Sequence, residues 1–308
     1  MKKSKRISVK VPGSTSNLGP GFDTLGLAVN LFLYLEAEPS DKLLISVAGE
    51  GKNEISKNKD NLIYRSYREY FKYIKENVIP INLSSKNEIP LKRGLGSSGA
   101  AIVGGVIIAR EMAKRKVSNE ELLNIAASIE KHADNVTPAL LGGFTACCMV
   151  KNNVIASRIK FPRDIKLVAV IPKLNISTKK AREILPKQIN FKDAVFNVQR
   201  VSLLVNSFYT FDFDNIKHYL NDKLHQDYRK DFVPGFDLAM KRGIDAGALG
   251  LYLSGSGPTI MAFYRDQGKT VADAIAEVFD RKNIPFKIKY LNPVFRHTVA
   301  NISDKKLK

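Results

Sequence analysis

A short run of glycines and serines, Gly94-Leu95-Gly96-Ser97-Ser98-Gly99-Ala100, stands directly before a long apolar segment. If that segment is helical, its first amides have no partners inside the helix and carry a partial positive charge, a setting that holds an anion. Gly94 and Gly96 let the backbone approach phosphate oxygens closely, and Ser97 and Ser98 add hydroxyl ligands. The spacing is neither Gly-x-x-x-x-Gly-Lys-Ser/Thr nor the dinucleotide fingerprint, because Lys92 lies upstream. Taken alone, the stretch suits phosphate binding and an ordinary glycine-rich turn with serine caps equally well.

Three further clusters carry polar groups of chemical interest. In Glu130-Lys131-His132-Ala133-Asp134-Asn135 a carboxylate can complete a magnesium site with a serine hydroxyl, since that hard ion prefers oxygen. The same residues also suit a solvated helix end, with His132 a hydrogen-bonded structural imidazole and Asp134 and Asn135 simple caps. The loop from Pro12 to Asp23 interleaves polar groups with glycine and proline, so it either aims Asn17 and Asp23 at a small polar substrate or merely connects two strands. Leu253-Ser254-Gly255-Ser256-Gly257-Pro258-Thr259, between two apolar runs, reads as a tight reversal.

The elements that must position these groups follow from periodicity. Ile7, Val9 and Val11 alternate as a strand that Pro12-Gly13-Ser14 should stop, and Leu27 to Leu35 and Leu43 to Val47 read as further strands. Helices are predicted over Asn61 to Tyr73, over Ser97 to Lys114, buried along most of its length, and from Ser118 to about Ile129, where Ser118 and Glu121 have capping-box spacing. A composition shift at Phe161-Pro162-Arg163 divides the chain into expected domains 1–162 and 163–308. The second half should contain strands at Leu167 to Ile171, Gly250 to Leu253, Thr259 to Phe263 and Phe286 to Tyr290. Helical stretches are expected around Asp193 to Phe208, Phe236 to Ala246 and Val271 to Phe279.

The 308 residues, 44% hydrophobic, can bury a real core, which excludes disorder and small disulfide scaffolds. Lys and Arg number 49 against 30 Asp and Glu, a net charge of +19 that would suit a polyanionic partner. The lysines are scattered, however, from Lys2 and Lys3 to Lys305, Lys306 and Lys308, and the glycine and serine signatures are uncharged. A nucleic-acid-binding reading is therefore disfavoured. Cys147 and Cys148 are adjacent in an apolar run and are expected to be reduced. With neither a secretory signal nor a span of transmembrane length, no membrane association is expected and the cytoplasm is the expected compartment.

Jointly, the four segments in this order resemble the small-molecule kinase superfamily of galactokinase, homoserine kinase, mevalonate kinase and phosphomevalonate kinase, the GHMP kinases, over nearly the whole chain. Ser16-Asn17-Leu18-Gly19-Pro20-Gly21-Phe22-Asp23, His132-Ala133-Asp134-Asn135-Val136 and Ala181-Arg182-Glu183-Ile184-Leu185-Pro186 look most like its homoserine kinase branch. The resemblance implies an α+β, two-domain fold, with an N-terminal ribosomal-protein-like domain and a C-terminal ferredoxin-like α/β sandwich. It further implies ATP-dependent phosphorylation of L-homoserine or, alternatively, of another small alcohol such as mevalonate, shikimate or a sugar. ATP would lie on Pro90, Leu91, Lys92, Arg93, Gly94, Leu95, Gly96, Ser97, Ser98, Gly99 and Ala100, with Asn61, Leu62 and Ile63 at the adenine. Ser98 and Glu130 would hold Mg2+. Asn17, Asp23, His132, Asn135, Arg182 and Arg229 would bind the amino acid, with Asn135 and Arg182 at the reacting centre. Asn135 stands where several relatives have an aspartate base, so placement and charge stabilisation would carry catalysis. A homodimer is implied as well.

Overall fold

The computed structural model describes residues 4–305, so that Lys2, Lys3, Lys306 and Lys308 of the basic ends lie outside the described residues. In chain order the elements are β1 (Ser4–Ser16), β2 (Leu25–Pro39), β3 (Leu44–Gly49), α1 (Leu62–Ile74), β4 (Ile81–Asn87), α2 (Ser97–Met112), α3 (Asn119–Glu130), α4 (Val136–Leu141), β5 (Phe144–Val150) and β6 (Asn153–Ile159). They continue with β7 (Lys166–Pro172), α5 (Thr178–Glu183), α6 (Phe191–Thr210), α7 (Ile216–Tyr219), α8 (Gln226–Arg229), α9 (Phe236–Asp245), β8 (Gly250–Leu253), β9 (Ile260–Tyr264), α10 (Gly268–Asp280), β10 (Phe286–Leu291) and β11 (Ala300–Lys305). Among the described residues no helix is long and apolar enough to cross a membrane.

β1 and β2 are antiparallel partners at the centre of the first sheet, whose order is β11-β1-β2-β4-β3, with β5 joining the start of β2 and β6 joining β5. The expected stop at Pro12-Gly13-Ser14 does not occur. A register shift between Pro12 and Gly13 absorbs the proline, and the strand continues to Ser16. Gly13 permits this because a side chain there would stand 2.9 Å from the Leu95 carbonyl oxygen, while the Ser14 amide donates to that same oxygen at 3.1 Å. The bulge thus carries Ser14, Thr15 and Ser16 alongside the glycine-rich loop.

Apolar faces of α1, α2 and α3 cover this sheet. Helix α2 is buried along nearly its whole length, as predicted, and α3 starts on the expected capping box of Ser118 and Glu121. Strand β4 escapes sequence reading because two of its inward positions, Ser85 and Asn87, are polar, and both line the functional cleft.

The second sheet is antiparallel in the order β10-β7-β9-β8, with α9 and α10 packed on it. Two βαβ halves in that order are the ferredoxin-like arrangement. The expected division at residue 162 needs correction at the C-terminal end: β11 leaves the second unit and pairs with β1, Ile302 opposite Ile7, closing an edge of the first sheet. Its sequence, Ala-Asn-Ile-Ser-Asp-Lys, is too polar to announce a strand, and main-chain pairing rather than apolar periodicity places it.

Candidate active site

The glycine-rich loop ends on Gly96, the N-cap of α2, which has φ +72 and no side-chain cap. Ala100 makes the first intrahelical bond, to Gly96 O at 2.9 Å, so the amides of Ser97, Ser98 and Gly99 open the helix without intrahelical partners. Serine capping is therefore not what the two serines do. Gly94, at φ +70, leaves room for the Ser254 carbonyl, which an added side chain would meet at 2.0 Å. Ser254 Oγ donates to Gly94 O at 2.6 Å and Thr259 Oγ1 to Arg93 O at 2.6 Å. The β8–β9 connection is thus more than a reversal; it clamps the loop from the second domain. Gly94→Ala should lower stability by about 1–3 kcal/mol through overpacking, measured by chemical denaturation.

A cleft of about 280 Å³ runs along this loop. At one end Leu33, Ile55, Leu62, Ile63, Pro90 and Leu91 make an apolar wall with Ser85 and Asn87. Asn61 lies there too, but its side chain is largely committed: Oδ1 accepts the amides of Ile63 and Tyr64 at 3.0 and 3.3 Å, and Nδ2 donates to Ser56 O. It caps α1 and ties that helix start to the Ser56 segment, which leaves one Nδ2 hydrogen uncommitted. Lys92 reaches Glu54 at 3.1 Å and Arg93 reaches Asn175 at 3.2 Å, both at the rim. Gly94, Leu95, Gly96, Ser97 and Ser98 all line the cleft, whereas Gly99 and Ala100 do not. A side chain added at Gly99 would meet Asn135, and the Ala100 side chain is buried in the core, so these two could reach a nucleotide only through their backbone.

Across from the helix start, Ser98 Oγ donates a short hydrogen bond to Glu130 Oε1. The Glu130 carboxyl is pushed up by burial, which the Ser98 hydroxyl, His132 and Arg182 only partly offset. His132 Nε2 lies 3.9 Å from Glu130, and its Nδ1 meets Asp134 Oδ1 at 2.6 Å. Burial would lower the His132 pKa, but the bond and charge of Asp134 outweigh it and raise it. Burial would likewise raise Asp134, yet His132, Ser16 and Arg182 hold it below the usual carboxylate range. Asn135 is clamped at both ends, Oδ1 accepting from Ser14 Oγ at 2.9 Å and Nδ2 donating to Ser16 Oγ at 3.1 Å.

At the far end Arg182 of α5 forks onto Asp23, Nη1 to Oδ2 at 3.0 Å and Nη2 to Oδ1 at 2.7 Å. Asp23 sits at φ +53 in the loop after β1, its amide donating to Asn17 Oδ1 at 3.1 Å, and Asn17 Nδ2 donates to Gly255 O. Arg229 also lines the cleft, but much of its fork is occupied, Nε donating to Ala181 O and Nη1 to Gly255 O, each at 3.0 Å. Burial, with the neighbouring Arg182 charge, brings its pKa down to about 10. Arg229 therefore braces the Arg182 segment against the β8–β9 turn as well as facing the cleft.

Behind it, fully buried His225 stacks on Phe22 and points Nε2 at Gly19 O, 2.8 Å away, while Arg229 Nη1 approaches Nδ1. Those partners specify a neutral ring, donor at Nε2 and acceptor at Nδ1. Burial lowers its pKa, the Arg229 charge adding to this and the Asp222 charge opposing it. The unfolded chain, with the ordinary value of 6.5, then binds the extra proton first, so stability present above that value is lost as pH falls below it. A His225→Gln variant should show a flatter fall of the unfolding midpoint below pH 6.5 than the parent.

All six expected amino-acid-site residues line one cleft, as do Ser98 and Glu130. The sequence reading missed Ser14 and Ser16, which hold Asn135, and left Asp134 as a cap; the one available signal was an uninterrupted polar triplet, Ser14-Thr15-Ser16, ending an alternating strand. Ser98 and Glu130 offer oxygen donors beside the helix amides, the donor set Mg2+ takes. Asp23, His132 and Asp134 also bring one ligand atom each within 4.8 Å of one another, but Arg182 holds Asp23 and Asp134 holds His132 Nδ1. Cys147 and Cys148 are both free, and burial pushes the Cys147 thiol up to about 12, away from any thiolate role.

Residues 61–143 match the GHMP kinases N terminal domain and residues 204–281 the GHMP kinases C terminal domain. The chain is similar to the homoserine kinase of Moorella thermoacetica, 41% identical over 285 residues that span 92% of this chain and 96% of that protein. To the homoserine kinase of Aquifex aeolicus it is 41% identical over 275 residues, 89% and 92% of the two chains. The crystal structure of homoserine kinase from Cytophaga hutchinsonii superposes with a TM-score of 0.85 at 29% identity, covering 98% of each chain. A mevalonate kinase crystal structure superposes at 0.68 with 14% identity, over 93% of this chain and 99% of that one, a likeness of fold alone.

Proposed function

We propose that this chain, which belongs to the homoserine kinase family of the GHMP kinases, transfers the γ-phosphoryl group of ATP to the side-chain hydroxyl of L-homoserine, releasing ADP and O-phospho-L-homoserine. The observation that carries this reading is the layout of the cleft. The open amides of α2 stand at its middle, an apolar wall on one side, and the Asp23–Arg182 pair on the other. A base fits the wall, a triphosphate the amides, and a zwitterion the opposed charges, its ammonium toward Asp23 and its carboxylate toward Arg182.

In this reading the Ser97, Ser98 and Gly99 amides meet phosphate oxygens, and Ser98 and Glu130 would hold Mg2+, which when bound would neutralise charge on the transferring group. Asn135 is an amide and abstracts no proton, and both its ends are engaged, so it orients the acceptor. Catalysis then rests on in-line placement and charge stabilisation, the hydroxyl proton leaving to phosphate or water. Asn135→Asp loses the bond to Ser16 and sets a second carboxylate beside Asp134. It should lower kcat without supplying a base, and by less than Ser98→Ala does, as read in steady-state kinetics. A homodimer in the cytoplasm belongs to the same proposal and rests on family membership.

The direct test is ADP release with homoserine, mevalonate, shikimate and galactose in parallel. Turnover is expected with homoserine; turnover with one of the others and none with homoserine would overturn the assignment.

A further inference from the structure

Asp134 and Asp222 are the two most deeply buried carboxylates among the described residues, and they are used differently. Asp222 accepts the backbone amides of Leu224, His225 and Gln226 and the side chain of Asn197, a framework role at the start of α8. Asp134, 2% exposed, instead turns to side chains that face the cleft: Oδ1 meets His132 Nδ1 at 2.6 Å, and the Ser16 hydroxyl is among the groups that hold its carboxyl below the usual range. Ser16 Oγ in turn accepts from Asn135 Nδ2, and Asn135 Oδ1 accepts from Ser14. The backbone of Asp134 is seated against β2 so tightly that a side chain on Gly26 would meet its carbonyl oxygen at 2.0 Å. One anchored carboxylate thus holds the ring of His132 directly and stands behind the serine that accepts from Asn135.

We infer that Asp134 is a positioning residue for the acceptor amino acid, orienting His132 directly and Asn135 through the Ser16 hydroxyl. The inference rests on the reading of the cleft given above and extends it to a residue that touches neither the nucleotide wall nor the helix amides. An Asn135 amide has two faces that differ only in which end donates. A carboxylate behind Ser16 removes the ambiguity: the Ser16 hydrogen is drawn to Asp134, leaving its oxygen able only to accept, so the Asn135 NH2 must point there and its carbonyl toward Ser14. For His132 the same carboxylate requires a proton on Nδ1, which turns Nε2 toward Glu130 and the cleft.

The test is steady-state kinetics of Asp134→Asn and Ser16→Ala, each alone and in a His132→Asn background, with both substrates varied. Asp134→Asn should raise the KM for homoserine by about 10- to 100-fold, the scale of a misplaced contact group, while the KM for ATP stays within about twofold. In the His132→Asn background its further effect should shrink, because part of its action runs through the imidazole. Ser16→Ala, which leaves the His132 contact in place, should raise the homoserine KM less and be unaffected by His132→Asn. If Asp134→Asn does not fold, Ser16→Ala decides: an unchanged homoserine KM overturns the inference. Equal rises in both KM values, or an Asp134→Asn effect that ignores the His132 background, would reduce Asp134 to a framework residue. Wild-type protein that does not turn over homoserine at all sinks the functional reading instead, so the two failures are separable.

Discussion

Ser98→Ala is expected to lower kcat by about 10²- to 10³-fold, equivalent to about 3–4 kcal/mol of lost transition-state stabilisation, on the scale of one removed oxyanion donor. The hydroxyl stands at the first turn of α2, beside amides that have no intrahelical partner, and bonds to Glu130. In the proposed scheme, removing it would take away an oxygen ligand at the transferring phosphate, and it leaves the buried Glu130 carboxyl with a weaker hold on its charged form. Because burial already pushes Glu130 upward, the loss of that hydroxyl should raise it further, and the alanine variant should need more Mg2+ for half-maximal rate. A Mg2+ titration of kcat checks this; a variant with wild-type kcat and wild-type Mg2+ dependence would remove Ser98 from the machinery. The fold should survive, since Ser98 is exposed and caps nothing.

Arg182→Leu should raise the KM for homoserine by about 10²-fold, or about 3 kcal/mol, the worth of a charge-assisted bidentate contact. Arg182 is paired with Asp23 across the cleft, and in the proposed scheme a zwitterionic acceptor would exchange that pair for one of its own. Asp23→Asn should have a comparable effect through the ammonium. Both side chains keep more than a third of their surface open, at 39% and 34%, and their pairing in the free protein therefore adds little to stability. Unfolding midpoints of both variants should stay close to the parent's while homoserine affinity collapses. Comparing KM with denaturation midpoints checks the separation, and an unchanged KM in Arg182→Leu would remove the carboxylate contact from the scheme.

How far the site could be read without the structure depended on what each residue does locally. Gly94, Gly96, Ser97 and Ser98 fall within five positions and precede an apolar run, so their chemistry is written in the spacing itself. Asp23 lies more than 150 positions before Arg182 and Arg229, and only resemblance to a family joined them. The bulge at Pro12 and Gly13 defeated periodicity, because a proline and a glycine in a strand normally end it. The polar inward positions of β4 hid that strand for the opposite reason: residues that line a cleft break the apolar alternation that marks a sheet.

The amino-acid order alone determined the presence of a buried helix with an open, glycine-permitted start, the capping of its neighbour and the mixed α and β make-up, since each depends on contacts within a few residues. Only the tertiary structure decided that the β8–β9 turn holds that start from the second domain. It also decided that the Asn61 side chain ties the start of α1 to the Ser56 segment, and that Ser14 and Ser16 hold the two ends of Asn135. Those are pairings between distant segments, set by how two sheets and their loops come together, and no local pattern encodes the direction in which a side chain will find its partner.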